Sequence, residues 1–136
     1  MDITELSRRI PLTCCRWGAR IWAAGLLVLW GSFFVEHLSW FAGHGPWPPP
    51  EVWFTQACHL ALLAGLVAGW KWELLGGGLT IAGAALFFAR AAGDNFLPFL
   101  LLTAVPGLLW LTCAWMSRTK RSEHDANRGG QAVSIV

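Results

Sequence analysis

Apolar residues in this chain fall into four long blocks, separated by short stretches rich in glycine, proline or charged residues. The blocks run from about residue 17 to 41, 53 to 70, 74 to 92 and 96 to 116. Each is about as long as the 17–25 residues that a helix needs to cross the apolar core of a bilayer. Because the connections are short, successive helices are expected to be antiparallel neighbours. The pattern predicts an all-α membrane protein, an antiparallel bundle of four transmembrane helices.

The polar ends of the chain complete the predicted domain organisation. Residues 1–16 form a polar cytoplasmic head, and residues 17–116 form the transmembrane domain. Residues 117–136 are polar and contain glycine, a composition typical of a disordered cytoplasmic tail. The first apolar block is too long for the roughly 7–15 apolar residues of a signal peptide, so we expect it to be retained.

Positive charge is distributed unevenly around the four blocks. Nine of the ten Lys and Arg residues precede the first block or lie at its inner end, lie between the second and third, or follow the fourth. Arg90 is the exception. Short loops rich in Lys and Arg stay on the cytoplasmic side of a membrane. This distribution predicts that both termini are cytoplasmic. The nine residues are Arg8, Arg9, Arg16, Arg20, Lys71, Arg118, Lys120, Arg121 and Arg128.

Composition excludes several classes of function. Hydrophobic residues make up 55% of the chain and charged residues 13%, against about 25% charged in soluble domains. Four spans leave residues only for tails and short loops, so no soluble catalytic domain is expected. The net charge of +2 reflects membrane topology, and no nucleic-acid partner is predicted.

Small residues in the second and third blocks predict close helix packing. Gly65 and Gly69 are expected to face Gly78 and Ala82, because small side chains let helix backbones approach in a bilayer. The four cysteines predict no disulfide framework, since the topology separates Cys58 from the other three across the membrane.

Ionisable residues within the spans gather at one depth, near the predicted outer surface. At 1.5 Å per residue, those in the first two spans lie roughly 6–9 Å below the boundary. Such residues are costly in a membrane and tend to face partners. This predicted polar layer consists of Glu36, His37, Cys58, His59, Arg90 and Asp94.

The polar layer has structural and functional interpretations. In the structural one, Glu36 forms an ion pair with Arg90, and the histidines bond to backbone or water. In the functional one, His37 and His59 bind a cofactor, either haem b between the two rings or a quinone. A metal site with Cys58 or Glu36 is disfavoured, because adjacent helical residues point about 100° apart. We therefore predict no metal ligands and no obligatory cofactor.

Several short motifs in the spans carry a resemblance to a known family. They resemble those of a family of small, uncharacterised four-span bacterial membrane proteins, a domain of unknown function, over about residues 17–116. The resemblance implies a multi-pass protein of the bacterial inner membrane and implies no activity. The motifs are Glu36-His37, Trp40-Phe41, the following proline-rich loop, Gln56, His59-Leu60, Gly65, Trp70-Lys71-Trp72-Glu73, Gly76-Gly77 and Pro106-Gly107-Leu108-Leu109.

No catalytic triad, phosphate-binding loop or paired carboxylate is found in the sequence. We therefore expect a non-enzymatic accessory, assembly or scaffold subunit of a membrane complex. Its partners would be the bilayer and other membrane subunits or a second copy of the chain. The alternative is a small ligand-handling protein that uses the polar layer, either a transporter or a subunit that binds haem, quinone or metal.

Overall fold

The computed structural model describes residues 3–38 and 47–133, with side chains described at 12–38 and 47–119. The described residues form helices and no strand. The helices are α1 (Ile3–Leu38), α2 (Pro50–Ala68), α3 (Glu73–Ala91) and α4 (Phe96–Val133), with a 3₁₀ turn at Gly93–Asn95. Four stretches are long and apolar enough to cross a membrane: Leu12–Leu38, Pro50–Ala68, Glu73–Ala91 and Gly93–Thr119. The prediction of four apolar helices is confirmed.

The helix boundaries follow from local chemistry. Pro50 begins α2, where its missing N–H removes a donor that would have no helical partner, and Glu51 follows in the first turn. After α3 the chain turns through Gly93, whose φ of 53° favours glycine. Pro106 lies within α4, which continues on both sides of it.

The first and last helices, α1 and α4, are longer than the corresponding apolar blocks. α1 begins at Ile3, within the predicted polar head, and α4 continues to Val133, through most of the predicted tail 117–136. The segment after Met116 contains no proline and several good helix formers, among them Lys, Arg and Glu. Residues 39–46, which include the first part of the predicted outer loop, lie outside the described residues.

One stripe of α1 forms the centre of the core. Ala19, Ala23, Leu26 and Trp30 are buried, at alternating spacings of four, three and four residues that keep them on one helix face. They pack against buried residues of the other three helices. Those residues are Leu62, Leu63, Leu66, Ala84, Phe88 and Trp110.

α2 and α3 make the most extensive contact between helices, as predicted. Gly65 faces Thr80 so closely that a Cβ added at Gly65 would lie 2.5 Å from the Thr80 backbone nitrogen. Gly83 faces Leu62 in the same way, because a Cβ added at Gly83 would lie 2.6 Å from the Leu62 backbone nitrogen. Backbone therefore packs against backbone here, which only glycine permits.

The α3 side of this contact differs from the prediction. Gly69 packs against Gly76, whereas Gly78 and Ala82 are exposed, and a Cβ at Gly78 would meet nothing within 4 Å. Gly77 instead faces α4, where its Cβ would lie 2.8 Å from the Gly107 carbonyl oxygen. The prediction was wrong about Gly78 and Ala82 because spacing alone does not reveal how a helix is rotated about its axis.

Candidate functional site

The predicted polar layer does not form a single cluster. Cys58 and His59 on α2 are buried, with 7% and 1% of their surfaces exposed. The other four members lie exposed on α1, on α3 and in the 3₁₀ turn: Glu36, His37, Arg90 and Asp94.

His59 is a core residue surrounded by aromatic rings. Its imidazole stacks on Phe87, with 4.3 Å between ring centroids, and meets the edge of Phe34 at 5.3 Å. Its Nε2 is buried and has no hydrogen-bond partner among the described residues. His59 is therefore enclosed by aromatic rings of α1 and α3.

Arg90 contacts an aromatic ring of α2. Its guanidinium carbon lies 5.2 Å from the centroid of Phe54, a cation–π distance. This contact joins α3 to α2, and the ion pair of Arg90 with Glu36 stays a prediction. Within the described part of the chain, no group of three or more His, Cys, Asp or Glu residues lies close enough to hold a metal ion.

His37 lines a cavity of about 500 Å³ between α1, α3 and α4, which we call the aromatic cavity. Its Nδ1 lies 2.7 Å from the Phe33 carbonyl oxygen of the same helix. A second cavity of about 250 Å³ shares His37 and adds Gln56. The walls of the aromatic cavity are otherwise apolar and include Trp30, Phe33, Phe87, Phe88 and Phe99.

Trp30 connects the aromatic cavity to the core. Its indole N–H donates to the Thr103 hydroxyl oxygen at 3.1 Å, and its ring lies 5.0 Å from Phe88 and 5.8 Å from Phe99. This hydrogen bond satisfies both polar groups inside the bundle. We call this part of the molecule, with His37, Arg90 and the aromatic cavity, the His37 end.

The opposite end carries a polar network that joins three helices. Arg16 of α1 donates to both carboxylate oxygens of Glu73 on α3, from Nε at 2.6 Å and from Nη2 at 3.3 Å. Nη2 also donates to the Ser117 hydroxyl of α4 at 3.2 Å. A two-point Arg–carboxylate contact fixes orientation as well as attraction. We call this region the Arg16 end.

Two thiols lie beside this network. The Sγ atoms of Cys15 and Cys113 are 3.0 Å apart, and Cys15 also donates to the Leu109 carbonyl oxygen at 3.8 Å. All four cysteines are free thiols. Both members of the pair lie on the predicted cytoplasmic side, but their contact was not anticipated from the sequence.

An open pocket of about 740 Å³ adjoins the network, and we call it the basic pocket. Arg20 crosses its wall and donates to the Trp70 carbonyl oxygen at 3.1 Å. The lining combines four cations with one carboxylate and several apolar side chains. It consists of Arg16, Arg20, Trp70, Lys71, Trp72, Glu73, Leu74, Leu75, Ala114 and Arg118.

Comparison with known proteins assigns the chain to a family. Residues 7–123 match the family described as Domain of unknown function (DUF7670), which is most of the chain. The chain belongs to the DUF7670 family. No curated protein and no solved structure matches it. The DUF7670 match includes both the Arg16 end and the His37 end.

In the sequence of this DUF7670 protein, Arg16 serves only as one of the nine positive residues that predict topology. Yet Arg16 continues the buried stripe of α1, three residues before Ala19 and seven before Ala23. A charged residue on that stripe must meet a partner from another helix. Extending the stripe backwards would have predicted an interhelical contact for Arg16, although not the identity of Glu73.

Proposed function

We propose that this DUF7670 protein is a multi-pass protein of a bacterial inner membrane, with four antiparallel spans and cytoplasmic termini. The pairing of α1 with α4 supports the antiparallel arrangement, because Cys15 contacts Cys113 whereas Trp30 contacts Phe99. Large apolar side chains remain exposed all round the bundle, as expected for a surface in lipid. A reporter active only outside the cell, fused after Val136, should stay silent, and activity would contradict this topology.

We further propose that the protein is a non-enzymatic subunit that packs against the transmembrane helices of another chain. The observation that carries this proposal is a row of small residues on the outward side of α3. Gly78, Ala82 and Ala89 are exposed, and Ala85 between them is half-buried. We call this row the α3 outer face.

The α3 outer face has the spacing that helix association in a membrane uses. Its members are four, three and four residues apart, so they share one side of the helix. Small residues let a second helix approach closely and gain van der Waals contact, which is the main attraction available between helices in lipid. The bundle itself leaves the face unused, because α2 packs on Gly76 and Thr80 instead.

The test replaces the face and measures association. Tagged full-length protein is purified from its native membrane in mild detergent, and co-purifying membrane proteins are quantified by mass spectrometry. A stoichiometric partner should be retained by wild type and depleted by G78L together with A82L. Gly18→Leu is the matched control, since a Cβ at Gly18 of α1 also meets nothing within 4 Å. A monomer with no partner sensitive to the α3 substitutions would contradict the proposal.

The aromatic cavity favours one alternative function, the binding of a quinone-like ring. Its volume of about 500 Å³ and its aromatic walls suit a flat apolar ligand, and His37 offers a polar group at its edge. A short-chain benzoquinone should then quench tryptophan fluorescence saturably, and A91F, which fills the cavity lining, should abolish saturation. A Soret band or stoichiometric metal in the purified protein would favour the haem or metal alternatives instead.

A further inference from the structure

The basic pocket carries an excess of positive charge that the protein does not neutralise. Its lining contains Arg16, Arg20, Lys71 and Arg118, against the single carboxylate of Glu73, a net of three positive charges. Arg16 is committed to Glu73 and Ser117, and Arg20 donates to a backbone carbonyl. These two arginines hold helices together.

The remaining two cations are available to a ligand. Lys71 is exposed, and its ammonium lies 5.1 Å from the centroid of the Trp72 ring. Arg118 is exposed and makes no hydrogen bond or ion pair with any described residue. Lys71 precedes α3 and Arg118 lies on α4, so two elements present free cations to one pocket.

Backbone donors add to the attraction for an anion. α3 begins beside the pocket without a side-chain cap at Trp72, and Leu74 and Leu75 of its first turn line the wall. The first N–H groups of a helix have no helical acceptor, and the helix dipole makes that end positive. An anion next to these groups is therefore favoured by both charge and hydrogen bonding.

The rest of the wall is apolar. Trp70 and Trp72 are about half exposed, and Ala114 completes the surface with the two leucines. Tryptophan is typical of the headgroup level of a membrane. A pocket that combines cations, tryptophan and aliphatic walls fits a ligand with an anionic head and an apolar body.

We propose that the basic pocket binds the phosphate group of an anionic phospholipid. Lys71 and Arg118 contact the phosphate oxygens, while Trp70 and Leu74 pack against the glycerol and the first acyl carbons. The inference rests on the proposed membrane location but is independent of association through the α3 outer face. Free inorganic phosphate could make the same contacts with the two cations. It has no apolar part to pack against the tryptophan and leucine side chains of the wall.

The experiment measures binding of defined lipids to the full chain in a neutral detergent. Native mass spectrometry or thermal stabilisation is recorded with phosphatidylglycerol, with phosphatidylcholine and with inorganic phosphate. Phosphatidylglycerol should bind the wild type at least about tenfold more tightly than the other two, because each basic residue near anionic lipid contributes roughly 1 kcal/mol, about fivefold in affinity. K71Q together with R118Q should remove that preference.

Matched variants distinguish lipid binding in the basic pocket from a general attraction of the protein's positive charge for anionic lipid. R90Q removes one cation that lies over an aromatic ring at the His37 end, and the preference for phosphatidylglycerol should survive it. K71R keeps the charge and should bind like wild type. Equal loss in R90Q and in the double variant would overturn the proposal. If inorganic phosphate binds as tightly as phosphatidylglycerol, the lipid assignment is overturned. Neither result bears on the proposed association through the α3 outer face, which has its own assay.

Discussion

The two ends of the bundle use polar residues in different ways. At the Arg16 end, one guanidinium joins α1 to Glu73 of α3 and Ser117 of α4. At the His37 end, most of the described contacts between helices are made by aromatic rings, together with the hydrogen bond from Trp30 to Thr103 and the cation–π contact of Arg90 with Phe54. One interpretation of the sequence placed an interhelical ion pair at the His37 end, whereas the polar network at the Arg16 end was not predicted.

The difference teaches that equal depth does not make residues neighbours. Glu36 and Arg90 have the same predicted depth, and the contact that the structure shows for Arg90 is with Phe54 of α2. Arg16 and Glu73 also share a depth, and they meet because Arg16 lies on the buried stripe of α1. The position of a residue around the helix axis decides which neighbour it contacts. Successive residues differ by 100° around the axis, so a residue next to a contacting one can miss the same partner.

The largest expected change in stability lies between the two ends, at the contact of α2 with α3. Stability changes at either end can be compared with it. G65L places a side chain where the Thr80 backbone lies 2.5 Å away, so the helices must separate. We expect the free energy of unfolding in detergent to fall by about 3 kcal/mol or more. G78L, on the open side of α3, is the control and should melt like wild type. A normal melting profile for G65L would show that the helices pack elsewhere.

A cross-link at the Arg16 end should give the next largest effect, a stabilisation. Copper phenanthroline would take two electrons from the Cys15 and Cys113 thiols, which release two protons and form an S–S bond. We expect the cross-link to raise the free energy of unfolding by about 2–3 kcal/mol. Non-reducing peptide mass spectrometry should find this pair, with Cys58 unmodified as an internal comparison. A cross-link that instead joins two copies of the chain would contradict the contact between α1 and α4.

Breaking the network itself should have a smaller effect. E73Q removes the charge that Arg16 contacts, and we expect a loss of about 1 kcal/mol, since the Arg16 side chain is 41% exposed and its ion pair is screened. D94N removes an exposed carboxylate at the His37 end and should change stability by less than about 0.5 kcal/mol. Equal losses from the two variants, measured by thermal unfolding, would erase the distinction between the ends.

A small effect or none is also expected at His59, which aromatic rings enclose near the His37 end. H59L removes a buried Nε2 without a partner while keeping an apolar side chain between Phe34 and Phe87. Stability should stay within about 1 kcal/mol of wild type, or rise. A loss of several kcal/mol would mean that the His59 ring has a ligand or a partner, and would restore the cofactor interpretation of this residue.

Some of the fold followed directly from the sequence. The lengths of the apolar blocks specified four helices, because a helix that satisfies its own backbone hydrogen bonds is the solution available to such a block in lipid. Trp30 and Trp110 lie deep within their blocks, and both are buried. At the C-terminal end, α4 continues as a helix to Val133.

The tertiary structure alone decided which side of each helix faces which neighbour. In Gly76-Gly77-Gly78, the first glycine packs on α2, the second on α4, and the third faces outwards. Three identical residues have three different environments, because each is rotated by about 100° from the next. The sequence marks them alike, and only the simultaneous packing of α2, α3 and α4 assigns each its role. The same rotation brings Arg16 to Glu73 and leaves Arg90 over Phe54.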